Sequence, residues 1–456
     1  MKKQLELEIL LGSFEKEQRR NALEELHRLM VYGEIAPVPE LPIVNLHCHT
    51  FFSFNAYHYS PSAIAWEAKK RGLYTVGIID FDVLDGVEEF LEACALLGLR
   101  ASAGIESRVF IDEWKDREIN SPKEPGIYYA MGYGFVDPGS ADSGSRNALK
   151  KMAALARRRN ELMLGKLNRF LPKLELSYEK EVLPLTPAGN ATERHMLVAM
   201  EEKSKRLFPR KEERARFWAD AMQVRLQEVT QLLERPVDLQ MLIRAKLMKH
   251  GGPGYCTPDR ENFPSLEEMF SMVRGFGAVP TAGWLDGTSI GEENADEFLD
   301  FLIHKGAACL AIVPDRNWNI ADASEKSVKV KKLGEIMEGA RMRKLPVVVG
   351  TEMNKNGQKF VDDFFTDALK PFHDDFIAGA RIVNGHTLLL KTLGLGLLSG
   401  DIAQRCKSDL DARNRFFEEV GRLIPSSDPG ERSELTRRIR LMWEKTSSHP
   451  PRTGGV

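Results

Sequence analysis

Ile43-Val-Asn-Leu-His-Cys-His-Thr50 is an apolar run that ends in two histidines with one residue between them. Side chains alternate across an extended strand, so the imidazoles of His47 and His49 leave it on the same side. Two imidazoles converging at the end of a strand suit one metal ion. The same punctuation recurs downstream. Thr75-Val-Gly-Ile-Ile is a second buried run and opens onto Asp80-Phe-Asp82, and Arg100-Ala-Ser-Ala-Gly-Ile is a third that ends at Glu106. Between them, Ser62 to Arg71 and Val87 to Leu97 carry helical spacing. Strands alternating with helices predict βα units around a parallel sheet or barrel. In such a barrel the functional residues gather at the C-terminal ends of the strands.

Each strand end is therefore a place to look for chemistry. Glu106 is the carboxylate type that completes a His-His-carboxylate ligand set. Asp80 and Asp82 read as ligands, as acid/base groups or as helix N-caps. After Gly251-Gly-Pro-Gly the rhythm returns in Ala278-Val-Pro-Thr-Ala-Gly, Ala307-Ala-Cys-Leu-Ala-Ile-Val and Leu345-Pro-Val-Val-Val-Gly. Polar residues follow each of these runs. Asp286, Asp315, Arg316, Glu352, Asn354 and Lys355 are accordingly expected to line a pocket, with capping as the alternative for each Asp.

The rest of the chain divides by composition. Residues 1–40 read as an N-terminal helical segment, with Leu23, Leu26 and Met30 on one face. Residues 41–142 and 251–400 form the α/β barrel, 143–250 a helical insertion, and 401–456 a C-terminal helix and flexible tail. The basic clusters of the insertion, such as Lys150 to Arg159, are balanced by acids and read as solvated helix faces. Lys and Arg number 64 against 66 Asp and Glu, a net charge of -2 over 456 residues. That balance supplies no overall basic field and argues against a nucleic-acid partner. No window of about 18 apolar residues argues for a membrane span, and the N-terminus lacks a signal-peptide core. The five cysteines form no CxxC pair, which excludes a zinc ribbon and disfavours a disulfide scaffold. The expectation is a soluble, cytoplasmic protein, its oligomeric state open.

Read together, these stretches resemble the PHP superfamily, named after polymerase and histidinol phosphatase. Asn45-Leu-His-Cys-His-Thr followed by Ser60-Pro resembles the family's opening motif. Gly72-Leu-Tyr-Thr-Val-Gly-Ile-Ile-Asp-Phe-Asp resembles the second motif and Leu99-Arg-Ala-Ser-Ala-Gly-Ile-Glu the third. Thr192-Glu-Arg-His-Met is similar to an insertion segment that helps bind metal or phosphate, and Gly254-Tyr-Cys-Thr-Pro to the return into the barrel. The resemblance implies a distorted (β/α)7 barrel, of the subgroup with a helical insertion, that hydrolyses phosphoesters with up to three metal ions. It also implies metal ligands at His47, His49, Glu106, His195 and Glu352, the last standing in for Asp. Asp80 or Asp82 would serve as general base, Arg316 or Lys355 would hold the anion, and Arg194, Asp286, Asp315 and Asn354 would contact substrate.

The chain departs from the family where two of the three metal sites would be. Phe81 replaces a His between the two Asp residues. Phe54 and Asn55 stand where a His or Asp follows the opening pair, with His58 nearby as a substitute. Asn354 replaces a second His. Tyr129 and Gly283 occupy the His positions of a further site. The expectation is one divalent ion per chain, Zn2+, Mn2+ or Fe2+, in a hydrolase of a small anionic, phosphorylated substrate. Two alternatives stay open: a single-metal lyase or isomerase of a sugar or sugar acid, and a non-catalytic binding protein on the same scaffold.

Overall fold

The computed structural model describes residues 2–446; the expected flexible tail, 447–456, lies outside the described residues. Seven strands form one sheet in sequence order: β1 (Leu41–Cys48), β2 (Leu73–Phe81), β3 (Arg100–Phe110), β4 (Ile127–Tyr133), β5 (Val279–Trp284), β6 (Cys309–Ile312) and β7 (Val347–Val349). The expected distorted (β/α)7 barrel is what the chain forms. β1, β2 and β3 pair in parallel, as do β5, β6 and β7. The distortion is β4, which runs antiparallel to both β3 and β5. The sequence reading did not anticipate β4 as a strand.

The barrel is all but closed where β7 returns to β1. Glu352 N–H donates to His47 O (2.7 Å) and His49 N–H to Glu352 O (2.8 Å), so the two segments bridge at Cys48 and Glu352. Gly350 permits the approach: a Cβ there would lie 2.3 Å from His47 N. Closure thus happens at the same end of the barrel as the two histidines.

Local rules set the crossovers. Helix Pro61–Lys70 starts at Ser60, whose hydroxyl accepts Ala63 N–H, with proline in the first turn. Helix Val87–Leu97 stops at Gly98, in the left-handed region at φ 63. A long helix, His373–Leu393, is buried on most of its surface and packs on β1, β3, β7 and helix Leu410–Val420. Among the described residues, no helix is long and apolar enough to cross a membrane.

The apolar side chains form two cores. One fills and surrounds the barrel, and helix Lys16–Val31 joins it through Ala22, Leu23 and Leu26. The other lies within residues 163–248, around Trp218, Met196 and Leu197. Helix Ser143–Phe170 enters both cores, contributing Met152 to the first and Met163, Leu164 and Leu167 to the second.

Candidate metal centre and its anion pocket

His47 and His49 lie at the end of β1 and Glu106 on β3, one strand beyond the neighbouring β2. One carboxylate oxygen, Glu106 Oε2, sits 3.4 Å from His47 Nε2 and 3.2 Å from His49 Nε2. All three side chains are buried, and their ligand atoms lie within 4.8 Å of one another. These three atoms have no aligned hydrogen-bond partner. Orphaned polar atoms in a buried site are costly, so three converging on one point fit a cation between them. Burial raises the Glu106 carboxyl, but His47 and His49 beside it outweigh that and bring it down to about 2. The donor set, two imidazoles and one ionised carboxylate, suits a divalent transition metal.

The surroundings fix the orientation of His49. Its Nδ1 lies 3.2 Å from Ser53 Oγ, which donates to Asp80 Oδ1 at 2.6 Å. Asp80 also accepts from the backbone N–H and hydroxyl of Thr50, both at 2.7 Å. Its carboxylate is thus occupied in holding the loop after β1, which corrects its reading as ligand or base. Asn55 is likewise engaged, donating to His49 O and accepting from Tyr57 N–H and Tyr59 N–H. On the other side of His49 the phenyl ring of Phe81 stacks at 4.4 Å and 21°. A hydrocarbon ring fills the space beside the imidazole where the resemblance calls for a further ligand.

Several sequence candidates take other roles. Glu352 is held by Arg316, whose Nη2 reaches both carboxylate oxygens at 2.7 and 2.8 Å, and by Gln358 Nε2 at 3.0 Å. It lies outside the three-ligand group, with Arg316 as its cation instead. Its backbone and that of Met353 are left-handed, at φ 63 and 62, a strained pair at the barrel's closing point. His195 is no ligand either. Its Nδ1 accepts Thr192 N–H at 3.0 Å in a capping box, and burial with His58 nearby lowers its pKa to about 3. Asp286 pairs with Lys329 at 3.0 Å and accepts from Thr288, while Asp315 accepts from Asn319. These two and the exposed Lys355 do not line the cavity. Position 283 has no room for a ligand: a Cβ on Gly283 would lie 2.6 Å from Tyr129 O.

A cavity of about 560 Å³ opens over Glu106, with Asp82, Arg194, Arg316, Glu352 and Asn354 in its wall. Asp82 has φ 60, accepts from the Ser107 hydroxyl and is raised by burial, with Arg159 opposing. The far wall comes from the insertion, through residues near 159, 193 and 245. Seven Lys and Arg residues face five Asp and Glu, so the cavity is cationic. Glu193 binds Arg244 at 2.9 Å and Lys249 at 3.0 Å, and these cations with Arg108 hold its carboxyl well below the usual range against the effect of burial. Burial lowers both Arg159 and Arg194 to about 10. The sequence reading missed Arg108, Arg159, Arg244, Lys249 and Glu193. Arg108 alone carried a signal, being two residues beyond Glu106 and so on the same face of β3.

The PHP domain family profile matches residues 45–206. No curated protein matches the chain. Among solved structures, an amidohydrolase from Chromobacterium violaceum, with bound sulfate and no metal, is 15% identical with a TM-score of 0.48. That alignment covers 74% of this chain and 96% of the other. A protein from Bifidobacterium adolescentis, assigned provisionally as a metal-dependent phosphoesterase, is 21% identical with a TM-score of 0.46, covering 74% of this chain and 98% of the other. From its opening histidine strand into the helical insertion, this chain carries a PHP domain.

Proposed function

We propose that the protein is a metal-dependent hydrolase of phosphoesters on a small anionic metabolite, working with one divalent ion at His47, His49 and Glu106. The observation that carries the reading is the convergence of three buried, unpaired ligand atoms beneath a cavity with a surplus of cations. The PHP domain match supports metal-dependent hydrolysis at the level of the family. Phe81 against His49 supports a single ion, because a phenyl ring offers no ligand.

The ion, when bound, would acidify a water and polarise the phosphoryl group. His47, His49 and Glu106 hold it. Asp82, in the cavity wall and raised by burial, accepts the proton from the attacking water. Arg316, kept in place by Glu352, and Arg194, which has no carboxylate within 4 Å among the described residues, take the charge of the phosphoryl oxygens. Insertion residues cover the cavity and limit access of bulk water.

The test is phosphate release from a panel of phosphomonoesters and phosphodiesters by the metal-loaded protein. Turnover is expected, and Asp82→Asn should lower kcat by about 100-fold or more with metal content unchanged. A fully metal-loaded protein that cleaves no phosphoester contradicts the proposal.

A further inference from the structure

We infer that the seam between barrel and insertion carries a second anion subsite, built by Arg108 and Arg159 against Phe263 in the same cavity as the His47–His49–Glu106 centre but from other residues. It deepens the proposed function and rests on it in one respect: if the substrate is a phosphoester, it carries another oxyanion besides the scissile group. The observation behind it is a ladder of alternating rings and guanidinium groups. The Arg108 guanidinium lies 5.7 Å from the Tyr129 ring centre and 5.1 Å from that of Phe263, and Arg159 lies 4.2 Å from the same Phe263 ring. Arg108 comes from β3, Tyr129 from β4 and Arg159 from helix Ser143–Phe170. All four residues line the cavity.

Stacking on a ring fixes the plane of a guanidinium and leaves its edge N–H groups for a ligand. Those groups are short of acceptors here. Arg159 donates Nη1 to Asn262 O at 2.6 Å; Asp82 is the carboxylate that attracts it most, but none lies within 4 Å of it among the described residues. Arg108 gives Nη2 to Glu124 at 2.5 Å, while its Nε is buried without an acceptor. Glu193, 3.9 Å from Arg108, is already bound by Arg244 and Lys249. Two guanidinium groups against one ring repel each other, and Arg159, unlike Arg108 with Glu124, has no close carboxylate to offset its burial. A shared oxyanion removes both penalties. Two fixed forks match a phosphate-sized tetrahedral oxyanion.

Of the three consecutive arginines on the insertion helix, only Arg159 takes part. Arg157 and Arg158 are exposed, whereas Arg159 is turned into the cavity. The same contact therefore ties the insertion to the barrel and would report occupancy of the seam to both.

The experiment titrates inorganic phosphate into full-length protein by calorimetry at fixed ionic strength, after metal removal with a chelator. Wild type and the His47→Ala/His49→Ala variant should bind phosphate alike. Arg159→Gln should bind about tenfold more weakly or worse, the loss of a charge-assisted donor, with melting temperature and metal content held at wild-type values. If Arg159→Gln does not fold, Arg159→Lys keeps the charge and loses the fork, and weakened phosphate binding by that variant supports the subsite. Phosphate binding that is absent in the wild type, unchanged in both Arg159 variants, or lost in the double His variant overturns it. Because metal is removed, phosphate binding that depends on Arg159 stands even if the protein proves to hold no metal.

Discussion

His49 owes its orientation to a relay: its Nδ1 faces Ser53 Oγ, and Ser53 is held by Asp80. Residues that support a metal ligand in this way typically matter 10–100-fold to affinity. Asp80→Asn is accordingly expected to weaken metal binding by about 10- to 100-fold while leaving the protein folded, read by competition with a chelating dye. Outside the site, His386 is buried with Nδ1 accepting Leu397 N–H at 2.9 Å, which leaves Nε2–H to donate to Gly134 O at 3.2 Å. Burial lowers its pKa from 6.5 to about 4. Its folded form therefore binds fewer protons than its unfolded form between these values, and stability is lost as pH falls through that window. The loss amounts to about 3 kcal/mol from this one group. Thermal unfolding from pH 7 down to pH 4 should show the decline, and His386→Gln should flatten it; an equal slope in the variant contradicts the assignment. At this scale the two histidines and Glu106 were legible in the sequence, because strand ends announce themselves. Arg159 was not, since nothing in a run of three arginines says which one a neighbouring loop will cover.

Among elements, the junction of β1 and β7 does most to shape the site. Its two backbone hydrogen bonds join residues 47, 49 and 352 directly, so the separation of these strands and the position of the ligands are one variable. Gly350→Ala puts a methyl group 2.3 Å from His47 N. Overpacking of this kind costs about 1–3 kcal/mol, and the variant should lose that stability in denaturant unfolding together with metal affinity. Loss of stability with metal affinity intact would uncouple the closure from the centre. The parallel strands were readable as apolar runs separated by helices. β4 was not, because Ile127-Tyr-Tyr-Ala-Met-Gly-Tyr follows β3 with only a single 3-10 turn, Asp112–Trp114, in place of an α-helix and reverses direction, outside the βα rhythm. The buried helix His373–Leu393 was also missed, its apolar residues covering too much of its surface to show one amphipathic face.

Taken whole, the molecule is a barrel that supplies a candidate metal centre and an insertion that supplies cations over it. The net charge of -2 conceals this, because the positive surplus is local to the cavity. Composition read the insertion's basic clusters as solvated, correctly for Arg157 and Arg158. Which residues crossed the gap depended on how residues 163–248, with their own core, dock against the barrel, and no periodicity encodes docking.

The central claim is that His47, His49 and Glu106 form a one-metal centre. Elemental analysis of the purified protein without added metal, beside the His47→Ala/His49→Ala variant, tests it most directly. The account predicts about one transition metal per chain, lost in the variant. Two or three ions per chain, or a stoichiometry unchanged by the double substitution, would contradict it.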